Sequence, residues 1–171
     1  MQRVSVFILL AVLSSSAGCG YHFADSRSGL PSGGRSIAIS GFANQTMQTG
    51  IESELTRALV EKFISAGRLI VTKQISAEAL LTGSVRSFVI SPVTVTSGTQ
   101  VATEYRATLT IEATLQRQRD GKVLWKGEVS EWRNYRVVSD LTTTEANKRE
   151  AIRQISERLA ERLHVMVWED F

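Results

Sequence analysis

The sequence predicts an α+β domain in which a four- to five-stranded, mainly antiparallel (mixed) sheet carries two helices packed on one face. A hairpin pattern supports the sheet, because apolar and polar residues alternate from Val101 to Tyr135 around an Asp120-Gly121 turn. Two further segments repeat apolar residues at helical spacing, one beginning near Gly50 and one filling the C-terminal region. The two periodicities together predict a layered fold around one core.

The N-terminal residues predict a secretory signal rather than a fold element. The uncharged run from Val4 to Leu13 follows Arg3 and is much shorter than the roughly 20 residues that a membrane-spanning helix needs. Small residues then precede Cys19, the only cysteine, in a pattern that resembles the lipobox of bacterial lipoproteins, with Ser16 where a leucine is usual. We predict that residues 1–18 are removed and that lipid is attached to Cys19. An ordinary secretory peptide with an unpaired thiol is the alternative.

Composition predicts a single domain on a tether. Residues 19–35 are rich in glycine and serine and lack periodicity, which is typical of a linker, and residues 36–171 are enough to bury one core. The formal charge of +3 falls by one, to +2, when Arg3 leaves with the signal. Because this charge is small and no nucleic-acid motif is visible, we expect no nucleic-acid partner.

The first elements of the domain are predicted to be a strand and a helix. Residues 36–42 alternate as a strand, and residues 50–66 follow at helical spacing. Thr49 and Glu52 form a predicted capping box at the start of the helix, and Gly67 supplies its stop.

Two strands are predicted before the hairpin, over residues 69–72 and residues 79–90. Pro92 is expected to end the second strand, because proline has no backbone N–H to donate to a neighbouring strand.

The turn of the hairpin is predicted to be a three-residue loop of Arg119, Asp120 and Gly121, with Gly121 in the left-handed conformation. A two-residue loop would instead place Leu115 opposite the charged Lys126. The three-residue loop gives the apolar pairs Leu115–Trp125, Ala113–Gly127 and Ile111–Val129.

The C-terminal segment predicts a long helix with a second possible capping box at Thr142 and Glu145. Its apolar stripe consists of Ala146, Ile152, Ile155, Leu159, Leu163 and Met166. The opposite face carries charges of both signs three and four residues apart, which is typical of a solvated surface rather than a ligand patch.

The sequence predicts a non-enzymatic protein without a cofactor. His22 and His164 are the only histidines, and neither has a Ser, Cys or Asp partner at a catalytic spacing. Trp125 and Trp132 have opposite parity in the hairpin, so they do not form one aromatic stripe for a sugar. Apart from the lipid on Cys19, we therefore expect no cofactor and no metal.

The order of motifs along the chain resembles the LptE family of lipopolysaccharide-assembly lipoproteins. The matching segments are CGYHF (19–23), LP (30–31), IAISGFANQT (37–46), GIESELT (50–56), LLTGSV (80–85), EYR (104–106) and GKVLW (121–125). This resemblance implies an outer-membrane lipoprotein, lipid-anchored at the periplasmic face, that sits inside an LptD-like β-barrel. It further implies that the protein assists assembly of the barrel and delivers lipopolysaccharide to it, without catalysing a reaction.

The family's lipopolysaccharide contacts are implied to be basic side chains in the loop before the long hairpin strand and near the start of the final helix. This chain departs from that pattern, because its loop residues are the uncharged Thr96, Ser97, Gly98 and Thr99. We therefore expect this loop to contact the barrel wall.

Arg133 and Arg136 are predicted to share the loop's end of the sheet, and their guanidinium groups suit lipid A phosphates. Two solvated arginines at a strand end are the alternative for this pair. For the whole chain the alternative is an unrelated periplasmic binding or adaptor lipoprotein with the same layering.

Overall fold

The fold was analysed in a computed structural model that describes Leu30, residues 34–95 and residues 102–169. The predicted signal peptide, Cys19 and the loop residues Thr96 to Thr99 lie outside the described residues. The elements in chain order are β1 (Ser36–Ile39), β2 (Ala43–Asn44), α1 (Ile51–Ala66), β3 (Ile70–Val71), a 3₁₀ turn (Gln74–Ser76), β4 (Ala79–Val95), β5 (Ala102–Arg117), β6 (Val123–Arg136) and α2 (Leu141–Glu169).

The described strands form one mixed, six-stranded sheet. Its order is β3-β1-β4-β5-β6, and β2 pairs with β4 on the same edge as β1. The short strands β1, β2 and β3 make parallel pairs, whereas the long strands β4, β5 and β6 are antiparallel. The two helices and the sheet share one hydrophobic core. The predicted α+β class is therefore confirmed, with one or two more strands than expected.

The register predicted for the hairpin is confirmed. Leu115 pairs with Trp125, Ala113 with Gly127 and Ile111 with Val129. The turn differs by one residue, because Arg117 N donates to Lys122 O at 2.9 Å and so closes a four-residue loop. A register shift beside Leu115 compensates for the longer loop, as Leu115 pairs with Trp125 but Gln116 pairs with Val123. Gly121 has the predicted left-handed conformation, with φ of 67°.

The prediction that Pro92 ends the fourth strand is wrong, since β4 runs to Val95 and Pro92 pairs with Tyr105. The parallel partners of β4 reach only to Val85, so Pro92 lies on a strand with one unpaired edge. A proline is tolerated in such a strand when its missing N–H faces the unpaired side.

Neither predicted capping box forms. Gly50, at φ 84°, is the N-cap of α1, and Glu52 accepts a hydrogen bond from Asn44 Nδ2 at 2.8 Å instead of capping the helix. At the start of α2, the Asp140 carboxylate accepts from Thr143 N at 2.7 Å, which is the bond of an N-cap residue. The predicted stop at Gly67 is confirmed, with φ of 65°.

The core lies between the helices and one face of the sheet. Its largest fully buried side chains include Ile37, Leu55, Leu59, Phe63, Leu81, Leu109, Ile111, Leu115, Ile155, Leu159 and Leu163. Trp125 packs over Gly127 so closely that a Cβ at position 127 would lie 2.5 Å from the indole Cζ2. Leu30, which falls in the predicted tether, is only 4% exposed and belongs to this core.

The start of β1 is held by one carboxylate. Glu78 Oε2 accepts hydrogen bonds from Arg35 N at 2.6 Å, Ser36 N at 3.1 Å and Ser36 Oγ at 3.1 Å. These hydrogen bonds hold the pKa of Glu78 below its usual range, and the bond from Arg35 N has the largest effect. Glu78 thereby joins the start of β1 to the start of β4.

His164 is a buried side chain with a structural role. Its Nε2 accepts from Trp168 Nε1 at 3.2 Å, and its ring meets Phe63 edge-on at 5.1 Å. Burial, reinforced by the positive charges of Lys62 and Arg68, lowers the pKa of His164 to about 4.

Burying a carboxylate on the helix-facing side of β5 should unfold the domain. Leu109 and Ile111 are 0% exposed, so Leu109→Asp or Ile111→Asp leaves an unpaired buried charge that costs several kcal/mol. Total domain stability is roughly 5–15 kcal/mol. Thr110→Asp lies on the opposite face and should destabilise the domain only mildly. Circular dichroism and thermal melting measure the difference between the two kinds of variant. A harmful Thr110→Asp with a harmless Leu109→Asp would refute the assignment of the faces.

Stability should fall in mildly acidic solution because of His164. The folded protein holds His164 in its neutral form, so its pKa is lower in the folded than in the unfolded state. The contribution of His164 to stability is therefore complete above the unfolded pKa of about 6.5 and is lost as the pH falls towards about 4. Between pH 7 and pH 5 we expect the wild type to lose about 1–2 kcal/mol more than His164→Gln, which keeps an acceptor for Trp168 but does not titrate. Urea unfolding of both proteins measures this difference, and equal losses would contradict it.

Candidate functional site

The sheet has one face without a helix, which we call the open face. In β5 every buried residue is odd-numbered and faces the helices, namely Ala107, Leu109, Ile111, Ala113 and Leu115. The even-numbered residues of β5 and their partners in β6 therefore form the open face. This face is polar, with Thr110 Oγ1 donating to Ser130 Oγ at 3.1 Å near its centre.

One end of the open face is neutralised by ion pairs. Glu112 accepts from Lys126 Nζ at 2.7 Å and lies 3.5 Å from Arg86 Nε. The hydrogen bond and charge of Lys126 hold the pKa of Glu112 below its usual range. The two cations are therefore engaged with a carboxylate and are poorly placed to bind an external anion.

The other end carries a stacked arginine. The guanidinium carbon of Arg106 lies 4.1 Å from the ring centroid of Trp132, and Arg106 Nε donates to Asn134 Oδ1 at 3.2 Å. Stacking and the hydrogen bond fix the plane of the guanidinium group. Among the described residues no carboxylate forms an ion pair with Arg106, so its two Nη groups are available to an anionic ligand.

Arg136 extends this arrangement towards the end at which β4 stops and β5 begins, which we call the loop end. It is exposed and lies two residues beyond Asn134 on the same face. A hollow of 460 Å³ beside it is lined by Thr103, Glu104 and Val138. We refer to Arg106, Trp132, Asn134 and Arg136 together as the loop-end cluster.

The structure does not bring Arg133 and Arg136 onto one face. Arg133 pairs with Ala107, which is fully buried, and therefore points to the helix side of the sheet. Its Nε is buried and has no hydrogen-bond partner among the described residues. The two arginines are three positions apart, and an odd spacing in a strand puts side chains on opposite faces.

The expected barrel-contact residues Thr96, Ser97, Gly98 and Thr99 cannot be placed, but the strands that they connect can. β4 ends at Val95, which pairs with Ala102, and Glu104 pairs with Arg136. The connection therefore starts and ends at the loop end, as the sequence predicted.

Sequence reasoning missed Arg106 and Trp132 as neighbours, although the register could have identified them. In the confirmed register Arg106 faces Asn134 and Thr108 faces Trp132, so Arg106 and Trp132 are diagonal neighbours on one face. Arg133 was predicted from its place at the loop's end of the sheet, without regard to the alternation of side chains between the two faces.

The groove between the helices is lined by charges that neutralise one another. It has a volume of 630 Å³ and lies between the start of α1 and the first half of α2. Arg57 pairs with Glu54, Lys148 with Glu145 at 2.8 Å, and Arg153 with Glu150 and Glu157, both at 2.5 Å. The hydrogen bonds of Arg153 and Gln154 lower the pKa of Glu150 to about 2. This pairing agrees with the solvated helix face that the sequence predicted.

Metal-ligand clusters and membrane-spanning helices are both absent from the described residues. No group of three or more His, Cys, Asp or Glu side chains in them could hold a metal ion. Likewise, none of the helices among them combines the length and apolar character needed to cross a membrane.

Solved structures with the same fold come from bacterial lipoproteins and a hypothetical protein. A putative lipoprotein from Caulobacter crescentus is 13% identical with a TM-score of 0.57, and the match covers 77% of this chain and 86% of that one. The rare lipoprotein B from Shewanella oneidensis is 15% identical with a TM-score of 0.56, covering 80% and 96%. The hypothetical protein CT253 from Chlamydia trachomatis is 6% identical with a TM-score of 0.55, covering 80% and 99%. At these identities the likeness concerns the fold.

No curated protein matches the sequence. A family model does match it, and that family is described as LptE, lipopolysaccharide-assembly. The match extends over residues 34–166 and so includes every strand and most of α2. The resemblance seen in the sequence motifs is thereby confirmed, and the chain belongs to the LptE lipopolysaccharide-assembly family.

Proposed function

We propose that this chain is a non-enzymatic lipoprotein that binds lipopolysaccharide, assists assembly of an LptD-like β-barrel and plugs its lumen. Family membership over residues 34–166 supports a role in lipopolysaccharide assembly. The observation in the molecule that best fits an anionic lipid is the loop-end cluster, in which Arg106 is held over the ring of Trp132 with two donor groups available.

Lipopolysaccharide offers what this cluster can bind. Its lipid A phosphates suit the planar donor fork of Arg106 and the exposed charge of Arg136, since arginine binds phosphate in a bidentate manner. Trp132 is 48% exposed and adds an apolar surface beside the charges. We retain Arg133 as a proposed contact of a different kind, because it could meet the ligand only from the helix side.

The barrel is proposed to contact the loop of Thr96, Ser97, Gly98 and Thr99. This loop joins β4 to β5 at the loop end, so the proposed barrel contact and the proposed ligand contact are neighbours. A ligand held by Arg106 and Arg136 would therefore lie close to the barrel wall.

The anchor is proposed to be lipid on Cys19, at the periplasmic face of the outer membrane. Gly20 follows the cysteine, rather than the aspartate that typically retains a lipoprotein in the inner membrane. Multiple acyl chains on one residue give stable anchoring, whereas one chain is marginal.

Cys19→Ala should abolish lipidation and leave the fold intact, because the core formed by the described residues is complete without this side chain. Metabolic labelling with a palmitate analogue measures the first effect, and thermal melting measures the second. Ser26→Ala, in the same segment, is the matched control and should be labelled normally. Label retained on Cys19→Ala would refute the anchor, and recovery of the wild type in the inner membrane would refute the location.

Reversing the two exposed charges of the loop-end cluster should weaken lipopolysaccharide binding. A charge-assisted contact contributes roughly 1.5–3 kcal/mol, so Arg106→Glu with Arg136→Glu should lower the affinity by more than about tenfold at low salt. The matched control is Arg119→Glu with Lys122→Glu, which makes the same charge change at exposed positions near the opposite end of the sheet. Binding of purified protein to lipopolysaccharide, with melting curves for both variants, is the measurement.

Equal affinities for the two double variants would show that the ligand is bound away from the loop-end cluster or without charge. Arg133→Gln, measured in the same assay, separates the helix-side contact from the open-face contacts. A loss of lipopolysaccharide affinity in Arg133→Gln alone would show that the ligand binds on the helix side of the sheet.

A further inference from the structure

The outer edge of β4 lacks a partner strand over half of its length. β1 pairs with Ala79 to Leu81 and β2 pairs with Ser84 and Val85, both in parallel. From Ser87 onwards β4 pairs with β5 on one side only. Among the described residues, no strand or helix hydrogen-bonds to the other side of this segment.

The register identifies which backbone groups point to this edge. Val137 N donates to Thr103 O, so odd-numbered residues of β5 bond β6 and even-numbered ones bond β4. Ser87 and Val89 pair with Thr110 and Thr108 and therefore direct their backbone groups to β5. The alternate residues Phe88 and Ile90 direct both N–H and C=O outwards, and Pro92 has only a C=O to offer there.

The opposite edge of the sheet, β6, is covered. Arg162 Nη1 of α2 donates to Ser130 O at 2.9 Å, and Asn147 Nδ2 of α2 donates to Arg136 O at 3.0 Å. Side chains of the last helix thus occupy outward carbonyls of β6, which is one way in which proteins protect an edge strand. The contrast makes β4 the long edge available for pairing in the described part of the chain.

The unpaired segment of β4 has no charged side chain of its own and is partly apolar. Val89 is 55% exposed, Ile90 39% and Val93 42%, and no charged residue occurs from Ser87 to Val95. Edge strands that remain unpaired usually carry charged side chains, especially lysine. An edge of this composition is typical of a strand that pairs with another chain.

A groove runs beside this edge, in line with β2. It has a volume of 510 Å³ and is lined by residues 45–48 on one side and by Arg86, Ser87, Phe88 and Ile90 on the other. β2 stops because Asn44 Oδ1 accepts from Thr46 N at 2.9 Å, which turns the chain away from the sheet. The position that a longer β2 would occupy therefore remains open, with the 99% exposed Met47 at its rim.

We propose that the β4 edge from Ser87 to Ser91 binds an extended, uncharged segment of a partner protein by β-strand addition. The segment would exchange backbone hydrogen bonds with Phe88 and Ile90 and cover Val89 and Ile90. This inference goes beyond lipopolysaccharide binding and does not depend on it, because main-chain pairing requires no anionic ligand.

A second copy of this chain fits the edge less well than a separate segment. In a symmetric antiparallel pair, the end of one β4 that carries Pro92 would meet residues 45–48 of the other copy. Pro92 also lacks the N–H that such a pair needs there. A short extended segment from another protein meets neither obstacle, since it needs only the five positions between the groove wall and Pro92.

The test compares two substitutions at one residue. Ile90→Pro removes the outward N–H of residue 90 and breaks no hydrogen bond to β5, because that N–H does not point to β5. Ile90→Ala removes most of the isoleucine side chain but keeps the N–H. Each is combined with a photo-crosslinking amino acid at Met47 in the full-length, lipidated protein in living cells, and mass spectrometry maps the adduct. A crosslinker at Ser97 in parallel cells reports the proposed loop contact with the barrel independently.

We expect Met47 to give an adduct with an uncharged segment of another protein. Ile90→Pro should reduce its yield by about tenfold relative to Ile90→Ala, the effect of losing roughly one interchain hydrogen bond. An adduct with a second copy of this chain, equal yields for the two variants, or no adduct at Met47 would overturn the proposal. Ser97 adducts without Met47 adducts would reject the edge and leave the proposed function standing.

If Ile90→Pro proves to be poorly folded by thermal melting, hydrogen exchange of the wild type decides instead. The outward amides of Phe88 and Ile90 should exchange at least about tenfold more slowly in the purified complex with the crosslinked partner than in the isolated protein. The inward amide of Val89, which bonds β5 in both states, is the internal control. Unchanged exchange at Phe88 and Ile90 would overturn the proposal.

Discussion

The pairing register of β5 with β6 determines which side chains the domain buries and which it exposes. A slip of one residue would move Leu109 and Ile111 to the open face and Thr110 into the core. Trp125 fixes the register sterically, because its indole occupies the space above Gly127 that no other residue would leave empty. The buried face of the hairpin and the position of Arg106 beside Trp132 both follow from this alignment, and the pairing of β4 with β5 then sets which groups of β4 point outwards.

Much of this fold could be predicted from the sequence because alternation in a long hairpin is a strong local signal. It gave the register of β5 with β6 and the separation of Trp125 from Trp132. The extra residue in the turn was not predictable in the same way, since a bulge near Leu115 restores the alternation and hides the longer loop. The prediction that Pro92 ends its strand failed because a proline disrupts a strand only where a neighbouring strand needs its N–H. Whether such a neighbour exists is a tertiary property.

The candidate site was predictable in part. The sequence placed Arg136 and the β4–β5 connection at one end of the sheet, and Arg136 is exposed there. It could not show that Arg106 is held by Trp132 and Asn134, because this requires three side-chain conformations as well as the register. The two predicted capping boxes failed for a similar reason, because Glu52 accepts a tertiary hydrogen bond from Asn44 instead of capping the first helix. At the second helix the cap is Asp140, which precedes the predicted box of Thr142 and Glu145.

The carboxylate of Glu78 gives the fold a mechanical property. If the protein is anchored through Cys19, any tension between the membrane and the domain enters along the chain that precedes β1. Among the described residues, the tension passes the buried Leu30 and then Arg35 and Ser36, whose three hydrogen bonds to Glu78 join them to β4. The load is thereby passed to the longest strand of the sheet, so the anchored end of the chain is also the end at which the domain resists being pulled open.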